Sequence, residues 1–183
     1  EAAIAAARRI GDPATLLYAL STGMSAMMDI VDPRSRLPLN LEAEQLAQNQ
    51  GDRERVLRSV VRLTFDHLEL GDLTAADVRI AHFERLTREA KAARYAWRVP
   101  LFHSMRAMMH GRFHQSEELL EQAHELATRA EDPQLERCYG FHREGLLRAL
   151  ERHEEMAAFD LHVRPLRAAL YGGPHCQNGG SAF

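Results

Sequence analysis

The residues with the clearest capacity for chemistry lie near the carboxyl end of the chain. Cys138 and His142 are four residues apart, so a helix would place their thiol and imidazole on one face. They supply two ligands, whereas a structural zinc ion takes four, so a zinc site would need Cys176, beside His175, to fold back onto this helix. The same pair could form a nucleophile and its base, but no orienting third group or oxyanion hole is indicated. We therefore predict neither a metal site nor a catalytic site, and a thiol- or metal-dependent enzyme is the least favoured hypothesis.

Other enzyme motifs are not present in the sequence. A P-loop needs a glycine-rich turn followed by lysine, and Lys91, the only lysine among 23 basic residues, has no glycine near it. Glu121 and His124 form one E-x-x-H pair, whereas a di-iron bundle uses two such pairs with further glutamates. We expect no cofactor.

The composition is typical of a folded helical protein. Of 183 residues, 45% are hydrophobic and 27% are charged, and the net charge of −3 disfavours a nucleic-acid-binding surface. Ala, Leu, Arg and Glu are abundant, which favours helix. Two cysteines indicate a reducing compartment, and no apolar run approaches the roughly 20 residues that span a bilayer. We expect a cytoplasmic protein with no membrane association, and a start at Glu1 rather than Met suggests a fragment.

A repeat of 40 residues organises the chain. Breakers recur near positions 11, 51 and 131, and a second series runs half a period out of step near positions 31, 71, 111 and 151. Breaks about every 20 residues leave room for helices of roughly 15 to 18 residues, so each unit is a helical hairpin. The predicted helices are 1–10, 14–30, 36–49, 53–70, 74–92, 94–110, 114–130, 134–150, 153–162 and 164–171.

The apolar pattern agrees with this period. The second helix of each unit carries leucine at one position and a small or apolar residue three positions earlier, which together form one face: Leu46, Leu86, Leu126 and Leu166, with Ala43, Phe83, Ala123 and Val163. Such hairpins bury their apolar faces by stacking on one another. Two prolines in 32–38 predict a loop there, and a Gly-rich, non-helical tail is expected over 172–183.

The two strings Gly71-Asp72-Leu73-Thr74-Ala75-Ala76 and Gly111-Arg112-Phe113-His114-Gln115-Ser116 resemble the start of the second helix of a tetratricopeptide (TPR) hairpin. The 40-residue period exceeds the usual 34 and is similar to the extended repeats of large bacterial LuxR-type, STAND and AAA-ATPase signalling regulators. This resemblance implies an all-α fold, a right-handed superhelix of about four stacked antiparallel hairpins. The domain would span 1–171, with units of about 11–50, 51–90, 91–130 and 131–171.

The resemblance also implies a concave groove lined by the first helix of each hairpin. The positions expected to face it are Tyr18, Arg58, Arg62, Phe65, Arg98, Phe102, Met105, Met109, Phe141 and His142. Arginine beside aromatic and methionine side chains suits a peptide with acidic and apolar groups. The alternatives are that the methionines are core filler and that Arg58 and Arg62 pair with Asp66 and Glu69 on their own helix.

The favoured hypothesis is a non-catalytic protein–protein interaction domain of a larger bacterial signalling or transcription-regulatory protein. Its partner would be a protein or peptide segment, including a neighbouring domain of the same polypeptide. Self-association through the end hairpins or the tail is a further expectation. The second hypothesis is small-molecule sensing in a closed apolar pocket near Phe102 and Met105.

Overall fold

The described part of the computed structural model, residues 2–28, 30–132 and 134–161, is helical throughout and contains no strand. Internal contacts divide the chain into two compact units, Glu1–Lys91 and Ala92–Phe183. The helices of the first unit are α1 (Ala2–Ile10), α2 (Pro13–Met27), α3 (Pro33–Asn49), α4 (Arg53–Glu69) and α5 (Leu73–Glu89). Those of the second are α6 (Ala93–Ala96), α7 (Arg98–Met109), α8 (Phe113–Arg129) and α9 (Leu135–Ala149), followed by helical residues 153–161. The all-α prediction is confirmed for these residues.

The turns between helices recur with a 20-residue spacing. After α3, Gly51 adopts a left-handed backbone with φ of 68°, its N–H bonds Gln48 O, and the N–H of Asp52 bonds Ala47 O. These two hydrogen bonds close the carboxyl end of α3. The Asp52 carboxylate then caps α4 by accepting from Arg55 N at 3.0 Å. Left-handed residues recur at the same spacing, with glycine at some sites and larger residues at others: Gly11, Gly51, Gly71, Lys91, Gly111, Glu131 and Glu151.

Two predicted boundaries were wrong, and proline explains both. The segment 32–38 is not a loop, because α3 already begins at Pro33, where a missing N–H is harmless, and Asp32 caps it. Pro38 lies inside this helix. The predicted helix 94–110 is interrupted at Trp97, since Pro100 cannot donate to the carbonyl of Ala96, where α6 ends.

The other predicted helices within the described residues agree with the structure to within about three residues at each end. The predicted helix 164–171 and the tail 172–183 lie outside the described residues.

In the first unit, consecutive helices pack on one another, and ion pairs also join every second helix. Arg8 of α1 lies 2.6 Å from Glu42 of α3, and Glu44 of α3 accepts from Arg79 of α5 at 2.9 and 3.0 Å. Arg62 of α4 donates to α2. The helices α1, α3 and α5 are thus linked by salt bridges, and α2 and α4 by hydrogen bonds.

In the second unit, an apolar cluster fills the space between α7, α8 and α9. Its fully buried members are Trp97, Leu101, Leu120, Ala123, Ala127 and Leu146. Burying side chains of this size contributes roughly 1.5 to 3 kcal/mol each for the larger ones. This cluster therefore dominates the stability of the second unit.

The predicted stripe on the second helices is confirmed in part. Ala43, Phe83 and Ala123 are fully buried, whereas the leucines three positions later are half-buried. The next position in register is buried instead, at Ala47, Thr87 and Ala127. The buried face of these second helices is therefore rotated slightly relative to the predicted face.

Candidate binding surfaces and buried polar sites

Three of the predicted groove residues in the first unit reach its surface to different extents. Tyr18 on α2 is 64% exposed, and Arg58 on α4 is exposed and pairs with Glu54 one turn earlier. Phe65, also on α4, is half-buried. An aromatic ring and a guanidinium are thus available on this unit for contact with another molecule.

Arg62, predicted to line the groove, is a buried residue with 7% of its surface exposed. Its Nη2 donates to Ser21 O at 3.0 Å and to Ser25 Oγ at 2.7 Å, both on α2. Asp66 and Glu69 form salt bridges with Arg36 in the described residues, and Asp66 acts on Arg62 only by raising its pKa electrostatically. Arg62 is buried because its long side chain reaches across to α2 rather than along its own helix.

A buried polar cluster in the first unit was not predicted. Arg36 on α3 is 1% exposed, and its Nε donates to Asp66 Oδ1 at 3.0 Å, while its Nη2 lies 2.9 Å from Asp66 and 2.8 Å from Glu69. Asn40 donates to Asp66 Oδ2 at 2.6 Å. Arg36 Nη1 donates to the carbonyl of Met28 at the end of α2. The cluster therefore ties α2, α3 and α4 together through one arginine and the carboxylates it contacts.

Arg98 in the second unit is a packing residue rather than an open groove residue. Its Nη1 donates to Asp132 Oδ2 at 3.2 Å, and its guanidinium lies 4.2 Å from the Trp97 ring centroid. Trp97 Nε1 donates to the same carboxylate oxygen at 3.0 Å. Burial raises the pKa of Asp132, but donors from Gln134 N, Trp97 and Arg98 outweigh it, so its pKa lies below the ordinary 3.8.

The apolar groove residues of the second unit divide into buried and exposed members. Phe102, predicted to face the groove, is 1% exposed and packs in the interior. Met105 is half-buried, Met109 is 49% exposed and Phe141 is 55% exposed. Methionine acts as core filler elsewhere, since Met24 is fully buried. The exposed large apolar side chains of the described part of this unit are thus Met109, Phe141 and Leu161.

The Cys138 and His142 pair lies on α9, as predicted, but in an apolar environment. Cys138 packs against the apolar cluster of the second unit, and His142 Nδ1 is 3.0 Å from the Cys138 carbonyl oxygen. Burial lowers the pKa of His142 despite this hydrogen bond. Within residues 2–28, 30–132 and 134–161, no three His, Cys, Asp or Glu side chains converge on a possible metal position. Cys176, on whose approach to this pair a zinc site would depend, lies outside the described residues.

An ionic network covers the junction of α8, α9 and residues 153–161. Glu117 accepts from Arg143 at 2.7 Å and from Arg152 at 3.0 Å. Tyr139 donates to Glu121 at 2.9 Å, and burial together with this carboxylate raises the pKa of Tyr139 to about 12. These side chains neutralise one another, so the network acts in packing.

Comparison of the chain with family models, with curated proteins and with solved structures finds no match. In the described ranges, no helix is long and apolar enough to cross a membrane.

Proposed function

We propose that the chain is a TPR-like interaction domain of a larger bacterial regulator, which binds a protein segment or a neighbouring domain and carries out no chemistry. In this proposal the hairpins stack into a right-handed superhelix, and the domain works in the cytoplasm. The 20-residue spacing of the turns and the links between alternate helices of the first unit support it.

The exposed apolar side chains of α7 and α9 carry the proposal. Met109 and Phe141 each leave about half of their surface in water, although the opposite sides of their helices are buried in the apolar cluster. Flexible thioethers and rigid aromatic rings are effective anchors for an apolar partner, since both bury large areas at modest entropic cost. No described feature of the second unit requires these side chains to be exposed for folding.

Charge reversal at these anchors tests the proposal. Met109→Glu and Phe141→Glu place a carboxylate where an apolar partner would pack, and we expect each to reduce partner recovery in a pull-down by about tenfold. Val78→Glu on α5 is the matched control, because Val78 is apolar and 64% exposed but lies on a second helix. Circular dichroism should show the same helix content in all three variants.

Equal recovery of partners by wild type and both anchor variants would refute the proposed surface. An equal loss with Val78→Glu would also count against it, since the effect would then follow from added charge anywhere on the surface.

A further inference from the structure

Arg62 occupies an unusual environment for a buried arginine. Its two hydrogen-bond acceptors on α2, a backbone carbonyl and the hydroxyl of Ser25, are both uncharged. Among the residues that the structure describes, no carboxylate lies within 4 Å of its guanidinium. Arg36 and Arg98 differ, because each contacts an aspartate within this distance. A buried guanidinium without a counter-charge is costly, and natural sites of this kind are usually completed by a water or an anion.

Several polar atoms on the two helices are also left without partners. Arg62 Nη1, Ser21 Oγ and Ser59 Oγ are all buried and make no hydrogen bond. Ser59 is three residues before Arg62 on α4, so the two side chains share a face. Ser21 is the residue whose carbonyl accepts from Arg62. The guanidinium of Arg62 therefore has one nitrogen, Nη1, that is buried without a hydrogen-bond partner.

We propose that Arg62 is the anchor of a carboxylate-binding site, and that the occupant is an acidic side chain of the protein segment bound by this domain. The proposal rests on the proposed function and adds the chemistry of the partner. The guanidinium presents Nη1 and Nη2 as a fork, the geometry that binds both oxygens of a carboxylate. Nη2 already lies near the surface, because its partner Ser25 is exposed.

Entry of the carboxylate requires the Ser25 hydroxyl to give up its hydrogen bonds with Ser21 O and Arg62 Nη2, and the buried Nη1 to be uncovered. The Ser25 hydroxyl rotates into water, and one carboxylate oxygen takes its place on Nη2 while the other accepts from Nη1. A water molecule would satisfy Nη1 but would bring no negative charge into contact with the guanidinium, which is why an anion is favoured. Burial and the neighbouring Arg58 lower the pKa of Arg62 by more than the Asp66 carboxylate raises it, so positive potential is in excess here. Tyr18, exposed on α2 one turn before Ser21, offers an adjacent apolar surface for the rest of the segment.

Side-chain nitrogen NMR of the intact chain tests the site directly. The probes are sodium acetate, sodium chloride at equal ionic strength, a blocked hexapeptide of alternating glutamate and leucine, and its glutamine–leucine counterpart. We expect acetate and the acidic peptide to shift the Arg62 signal in a saturable way, and chloride and the glutamine peptide to have no such effect. Arg62→Gln should weaken acidic-peptide binding by about tenfold, whereas Arg58→Gln should weaken it less.

Ser25→Ala sharpens the test, because it removes the competing hydroxyl and should leave binding unchanged or tighter. If Arg62→Gln does not fold, the titration of wild type and Ser25→Ala is still decisive. An unmoved Arg62 signal, or a response to chloride equal to that to acetate, would overturn the carboxylate site. Binding of acetate without the acidic peptide would overturn the assignment to a protein segment. The proposed function is tested by Met109 and Phe141 in the other unit, so the two can fail separately.

Discussion

The helices α3 and α8 occupy equivalent positions two repeats apart, yet they fill their inward faces differently. On α3 the buried positions hold Arg36 and Asn40, and on α8 the same positions hold Ser116 and Leu120. The helix of the first unit therefore places a charged and an amide side chain where that of the second has a serine hydrogen-bonded to Ser104 and an apolar leucine. The difference shows that the repeat determines which positions are buried but not which interaction fills them.

The turn before α3 explains why an arginine is placed there. In the connection between Met27 and Pro33, Val31 stands where other connections have a left-handed residue, and α2 ends with bonds from Ile30 N and Val31 N to Met27 O. Arg36 donates to the Met28 carbonyl and so satisfies one of the free carbonyls at the end of α2. The buried charge is then balanced by Asp66 on α4.

The largest loss of stability is expected when the charge balance between Arg36 and Asp66 is broken. Asp66→Ala leaves Arg36 buried without its main counter-charge and leaves Asn40 without an acceptor. We expect the free energy of unfolding to fall by about 3 to 5 kcal/mol, measured by urea denaturation at pH 7. A loss below about 1 kcal/mol would mean that the cluster is hydrated in solution and contributes little.

Loss of the buried carboxylate of Asp132 in the second unit should lower the free energy of unfolding by a smaller amount. Asp132→Asn keeps the shape of the side chain but weakens the hydrogen bonds from Trp97 and Arg98, with an expected loss of about 1 to 3 kcal/mol in the same measurement. The pKa of Asp132 is lower in the folded protein than its ordinary value. Its contribution is therefore present above about pH 4 and is lost as the pH falls through the folded pKa. Between pH 7 and pH 3 the variant should lose less stability than wild type; equal losses would contradict this role.

Smaller changes in melting temperature, upward for some variants and downward for another, are expected from substitutions in the turns. Lys91 and Glu131 hold positive φ values of 48° and 49°, a conformation that costs side chains other than glycine about 1 kcal/mol. Lys91→Gly and Glu131→Gly should each raise the melting temperature slightly. Gly51→Ala, at φ of 68° with open space around it, is the reverse control and should lower it. A rise with Gly51→Ala would show that strain is not the dominant factor.

The smallest net change is expected when the polar cluster is replaced as a whole. Arg36→Met, Asn40→Leu and Asp66→Leu together replace the polar side chains of the cluster on α3 and α4 with apolar ones, so neither Arg36 nor Asp66 is left buried without the other. We expect unfolding free energy within about 1 kcal/mol of wild type, because such replacements are often neutral. A loss as large as that of Asp66→Ala alone would show that the charges are essential for the helix arrangement.

The sequence predicted the helices well, because their signals are local. Aspartate caps, left-handed glycines and apolar spacing each act within a few residues, and they located most of the helix ends. The Arg36–Asp66 pair was missed because its members are 30 residues apart and hydrophobic periodicity treats both as exposed. The groove residues were inferred by resemblance, which gives a position on a helix but not the reach of its side chain. For that reason the burial of Phe102 and Arg62 was not predicted, whereas Met109 and Phe141 do lie at the surface.

The regular turns have a consequence for how this chain can change in length. Three residues separate α3 from α4, and the same number separates α4 from α5. These connections are therefore too short to compensate for a change in helix length. One residue added within a helix rotates everything after it by about 100° and turns its buried face towards water. Single-residue insertions should therefore be rejected in the helices, and whole hairpins should be gained or lost instead. The longer connection between Met27 and Pro33 is the exception, because insertions or deletions of a few residues should be tolerated there.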